Sequence, residues 1–255
     1  MGLARRDRRA GSGGPLRSGA RRAALGILAA FLSIAGTIWA AGVVGAVAPP
    51  PAPVGNVTPA LDTVPSGTVG VAASSTPVEG RVAVIVQNSS TSAVRNVRVT
   101  SVASRPDGGL AAKAVTNDLL PSALPPGAIA LGLLEFRAAA SLPGTSLTFT
   151  VRSRRAASDD APTALQVGSL VLSPPLTGDD AQTLTMKLGN PGSRTIGGPL
   201  LVRVTCFGES ARPTDATDTT VRRSSLKRGA TVTAVVKLHD LCPSYLVAAR
   251  GASVR

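Results

Sequence analysis

The chain has 255 residues, with 27 Lys and Arg against 14 Asp and Glu and a net charge of +13. It carries four Phe, one Trp and one Tyr, so its core must be built from Val, Leu, Ala and Ile. The basic N-terminal tail holds no aromatic to stack on bases and no folded module, which excludes nucleic acid as the expected partner.

Residues 1–22 contain Arg5, Arg6, Arg8, Arg9, Arg17, Arg21 and Arg22 with Asp7 as the sole acid. From Ala23 to Ala48 there is no charge, and none follows until Asp62. A helix over those 26 residues is about 39 Å long at ~1.5 Å per residue, more than the ~30 Å hydrocarbon core of a bilayer. The segment 23–48 is therefore expected to be a transmembrane helix. The flanking arginines act as its topology signal, keep residues 1–22 in the cytoplasm and place residues 49–255 outside. The same pattern also fits a secretory signal peptide, with Ala46-Val47-Ala48 as its cleavage site, followed by secretion. Pro49 directly after that site and the length of the apolar run favour an uncleaved anchor.

A proline-rich linker is expected at 49–66, with Pro49, Pro50, Pro51, Pro53, Pro59 and Pro65. Proline removes amide donors and favours extended conformations, so the segment reads as a semi-rigid spacer. Beyond it the pattern is β. Leu147, Phe149 and Val151 alternate with Thr148, Thr150 and Arg152. Leu184, Met186 and Leu188 alternate with Thr185 and Lys187, and Val232, Ala234 and Val236 alternate with Thr233, Val235 and Lys237. Period two with polar residues on the other face predicts half-buried antiparallel strands. Asn88-Ser89-Ser90, Pro106-Asp107-Gly108-Gly109 and Asn190-Pro191-Gly192 supply turns between them.

The pattern occurs twice. Asn88 and Gly127 correspond to Asn190 and Gly229, each 102 residues later, and Arg98-Val99-Thr100 corresponds to Arg203-Val204-Thr205, 105 later. The expected fold is all-β: two tandem immunoglobulin-like antiparallel β-sandwiches, 67–153 and 164–255, joined by a linker at 154–163 and preceded by the transmembrane helix. Cys206 and Cys242, both in the exported part, are expected to form a disulfide.

The first copy resembles the FxLYD domain of bacterial envelope proteins. The similarity lies in Val82–Asn88, the Asn88-Ser89-Ser90 turn, Val94–Thr100, Asp107-Gly108 and Leu124-Pro125-Pro126-Gly127. The motif that names the family is absent, and its place falls here on Ser101–Arg105. The resemblance implies a non-catalytic extracytoplasmic module and supplies no catalytic residues. Arginine outnumbers lysine 23 to 4, a bias of GC-rich coding that points to an actinobacterial source.

Chemistry finds few candidates. The single histidine, His239, lacks a G-x-S-x-G nucleophile partner and reads as a turn residue. His239, Cys206 and Cys242 form an alternative metal or catalytic centre, but zinc sites place close-spaced ligands at both ends. Asp159-Asp160 and Asp179-Asp180 read as solvated loops. Arg152, Arg154 and Arg155 form one basic cluster, and Arg222, Arg223, Lys227 and Arg228 another, suited to anionic wall polymers or lipid headgroups. No cofactor is expected. The expected partners are membrane lipid, envelope proteins or anionic wall polymers. The expected role is binding or scaffolding in the bacterial cell envelope, with an accessory subunit of a secretion or transport complex as the alternative.

Overall fold

The computed structural model describes residues 50–137, 142, 144–156, 164–175 and 181–252. The arginine tail and the apolar segment 23–48 lie outside the described residues, as do Asp159-Asp160 and Asp179-Asp180. No helix among the described residues is long and apolar enough to cross a membrane. All described secondary structure is strand, and every strand pair is antiparallel.

A short strand, β1 (Val54–Gly55), comes first. The first repeat follows with β2 (Val69–Ser74), β3 (Arg81–Asn88), β4 (Val94–Ser104), β5 (Leu110–Thr116), β6 (Ala123–Leu124), β7 (Ile129–Glu135) and β8 (Ser146–Arg155). The second repeat comprises β9 (Ala164–Ser173), β10 (Thr183–Gly189), β11 (Ile196–Phe207), β12 (Pro213–Val221), β13 (Ser225–Leu226), β14 (Thr231–Lys237) and β15 (Ser244–Ala252).

The pairing is the same in both. In the first repeat β2-β3-β7 form one sheet, and β4 is flanked by β8 on one side and by β5 and β6 on the other. In the second, β9-β10-β14 form one sheet, and β11 is flanked by β15 and by β12 and β13. The start of β9 also pairs with β15, joining its two sheets at one edge. Alternation sets the cores. Val82, Val84, Val86, Val99, Ala103 and Leu134 meet inside the first sandwich-like unit. Leu184, Met186, Leu188, Val202, Val204 and Val236 do so in the second.

One turn network recurs in both repeats, the first adding a Ser90 hydroxyl bond to Asn88 Oδ1 where the second has Gly192. Asn88 is buried, and its Nδ2 donates to the Ser92 and Leu124 carbonyls at 2.9 Å each while its Oδ1 accepts from the Ser90 amide. Asn190 is buried likewise, donating to the Arg194 and Leu226 carbonyls and accepting from the Gly192 amide. The Gly127 amide donates to the Asn88 carbonyl, as the Gly229 amide does to that of Asn190. Gly127 and Gly229 have φ of 76° and 70°, a left-handed conformation that a Cβ would strain. The 102-residue spacing is thus a spacing of matching asparagine turns.

The repeats belong to one compact unit. The outer face of β2-β3-β7 lies against the outer face of β12-β11-β15. Ala73, Ile85, Leu120 and Leu131 of the first repeat pack with Phe207, Leu246 and Ala248 of the second, and Ala83 and Leu133 pack with Ala216. Burying each such Leu or Ile contributes roughly 1.5–3 kcal/mol relative to exposure.

The proline-rich segment, expected as a spacer, is docked from Val54 onward. Val54 and Gly55 pair with Val247 and Leu246 of β15. Asn56 donates to the Pro243 carbonyl and accepts from the Tyr245 amide, both at 2.8 Å. Val57 and Leu61 pack on the seam between the repeats. The Ala60 amide bonds the Ala211 carbonyl and the Asp62 amide bonds the Ala72 carbonyl, so the segment straps both repeats together. Prolines cannot donate amide hydrogen bonds, but the intervening residues can, and the apolar ones had a seam to cover. Of the expected 154–163 linker, Arg154 and Arg155 belong to β8, and 157–163 lie outside the described residues.

Candidate functional site

Cys206 ends the inward-facing row of β11, and Cys242 sits in the connection from β14 to β15. Their sulfurs are joined, with the Cα atoms 5.3 Å apart, and both side chains lie in the second core. The Cys242 amide donates to Gln182 Oε1 at 2.7 Å. Each cysteine sulfur is committed to the other, so neither stands as a thiolate beside His239. His239 itself is exposed on the turn after β14.

A buried arginine at the seam, Arg203, carries no motif in the sequence that marks it. Arg203 is 1% exposed, a position that a charged residue holds only when paired. Its Nε and Nη2 donate to the two Asp218 carboxylate oxygens at 2.6 Å each, a bidentate fork. Its Nη1 crosses to the first repeat and donates to the Asp118 and Leu131 carbonyls. Arg250 of the second repeat pairs with Asp118 of the first, and Arg81 of the first lies 3.9 Å from Asp215 of the second. A signal was present in β3 and β7: the runs Val82–Val86 and Leu133-Leu134 break alternation, as strands covered on both faces do.

At one end of the seam lies an open cleft of 640 Å³, lined by Val57, Val78 and Phe207 with Glu209, Asp215 and Asp240. Beside it, Asp62 of the strap forms a two-pronged pair with Arg212. That hydrogen bond holds the Asp62 carboxyl below its ordinary value, against an opposing effect of desolvation, and raises Arg212 above its own.

The opposite sheet of the first repeat, β5-β4-β8, carries the remaining cluster. Arg152 and Arg154 project from β8, and the register brings them beside β4: Arg98 is directly opposite Arg152, and Arg95 opposite Arg154. Lys113 of β5 lies opposite Val102 of β4. Arg98, Lys113, Arg152 and Arg154 are exposed. The second expected cluster is elsewhere: Arg222 and Arg223 follow β12, and Lys227 and Arg228 enter the β13–β14 turn of the second repeat. Among the described residues no group of three His, Cys, Asp or Glu side chains is placed to hold a metal ion. No protein-family model matches the chain, and no curated protein is significantly similar to it.

Proposed function

We propose that the protein is a single-pass membrane protein, N-terminus inside, presenting two immunoglobulin-like β-sandwiches outside the cytoplasmic membrane as a non-catalytic binding or scaffolding element of the cell envelope. The observation that carries this reading is the Cys206–Cys242 disulfide in the second core, because structural disulfides persist in oxidising compartments. It agrees with the orientation read from the arginine tail and the uncharged run Ala23–Ala48. The matching asparagine turns support two modules of one kind, in keeping with the FxLYD-like reading of the first. The charged groups at the seam support a non-catalytic role, since the buried Arg203, oriented by Asp218, and the Arg250–Asp118 pair are spent on joining the repeats. What remains to act is the outer surface of the sheets and their edges, where such scaffolds bind.

The test is a topology reporter. A C-terminal alkaline phosphatase fusion should be active in intact cells, and a reporter that works only in the cytosol should be silent. The reverse result would remove the reading.

A further inference from the structure

The outer face of β5-β4-β8 is where two arginines that the fold had no need to bring together are brought together. Arg98 and Arg152 stand directly opposite each other, exposed, on neighbouring strands. Like charges in that position destabilise a sheet. The second repeat shows how the same site is neutralised. There the corresponding Arg203 has Asp218 on one side and Ala248 on the other. In the first repeat Asn117, next after the Thr116 that pairs with Val99, falls where Asp218 stands, and Arg152 falls where Ala248 stands. The carboxylate is replaced by an amide and the methyl by a second guanidinium. Lys113 and Arg154 add positive charge on the same sheet, and Thr100 and Thr150, paired across β4 and β8, put two hydroxyls next to the arginine pair.

We propose that this face binds a linear polyanion bearing phosphate groups, with Arg98 and Arg152 sharing one phosphate and Arg154 reaching the next. This deepens the extracytoplasmic binding role proposed above and rests on it. Strands lie about 4.8 Å apart, close enough for one phosphate to take a fork from each guanidinium. Arg154 is two residues farther along β8, about 7 Å, which suits a charged chain more than a single ion. Phe149 packs inward on the first core, so the face offers no ring for base stacking, and recognition falls to phosphate rather than to nucleobases. The apolar side chains near the arginine pair on this face, Val102 and Val115, are short and flanked by threonines and Lys113, which favours a soluble polymer over insertion into a bilayer.

Long-chain inorganic polyphosphate is the probe, titrated against the full-length protein in non-ionic detergent. The double variant Arg98→Ser/Arg152→Ser should weaken binding by about tenfold or more. It should also reduce the slope of log affinity against log salt by about one to two, as expected for two arginine charges removed from the contact with a polyanion. Arg222→Ser/Arg223→Ser removes the same charge from the second repeat and should change affinity by less than about twofold. The arginine tail is present in every protein compared, so its contribution cancels. The face variant should melt no lower than the parent, because it relieves a repulsion. Equal losses in both variants, or no loss in either, would show that net charge or the tail does the binding and would overturn the proposal. So would face-dependent binding to phosphatidylcholine–phosphatidylglycerol vesicles without binding to polyphosphate. The titration does not depend on export, so it can fail while the topology reporter succeeds, and the reverse.

Discussion

Arg98 and Arg203 hold the same place in two copies of one repeat, and they live in opposite settings. Arg98 is exposed on β4, facing another arginine, while Arg203 on β11 is 1% exposed and held by a carboxylate and two carbonyls. Their neighbours follow suit. Thr100 and Val102 line the open face of β4, whereas the matching Thr205 and Phe207 of β11 are buried at the seam. The other sheet is reversed: Ile85 and Leu131 of the first repeat are buried at the seam, and the positions 102 residues later are Lys187 and Thr233, both exposed. Each repeat thus covers one outer face and leaves one to solvent, and the two choose different sheets. Copies with one topology stack head to tail, and the free ends of the stack differ in chemistry.

The comparison is most sharply tested at Arg203. Arg203→Ala should destabilise the protein by about 3–5 kcal/mol, because it empties a large buried side-chain site and leaves two seam carbonyls without a donor, whereas Arg98→Ala should stay within about 0.5 kcal/mol of the parent or gain. Chemical denaturation of both variants decides it, and equal losses would dissolve the contrast.

Next in size is the disulfide, which only the second repeat has; the position matching Cys206 is Ser101. Cys206→Ser should cost about 3–4 kcal/mol for a closed loop of this length. Hydrogen exchange should then rise first in β11, β14 and β15. Uniform loosening of both repeats would mean that the seam couples them more tightly than their own cores hold.

Asn88→Ala and Asn190→Ala probe the feature the repeats share. Each leaves two carbonyls and an amide without their partner and should cost about 2–3 kcal/mol, with the two losses alike in thermal melts. A difference larger than the one extra Ser90 hydroxyl bond of the first turn explains would separate the two turns.

The smallest effect belongs to the strap. Asp62 titrates below the ordinary carboxylate value because Arg212 bonds its ionised form. Its contribution is therefore present above that ordinary value and is lost as pH falls through the depressed one. The pair is open to solvent, so salt should erode it. Asp62→Asn should flatten the acid limb of the stability profile slightly in low salt and leave it unchanged in high salt.

How far this was legible depends on the residue. Leu184, Met186 and Leu188 against Thr185 and Lys187 announce a strand with one covered face, and β10 is that strand. Asn88 and Asn190 announce turns, since a side chain that bonds the backbone two residues on needs nothing distant. The docked strap was not legible, because a run of prolines reads as a spacer unless the edge of β15 is known to be open beside it. The arginine pair was half legible: Arg152 and Arg154 are close in sequence, but Arg98 joins them only through the β4–β8 register.

By itself the sequence determined where the strands run, where they turn, and that the plan is written twice, because period two and local hydrogen bonding are properties of neighbours along the chain. Only the tertiary structure decided which outer faces were hidden, which arginine was buried and which was left facing its like. A strand's second face takes its environment from whatever packs on it, and here that partner, as for Ile85 and Phe207, lies far along the chain in the other repeat.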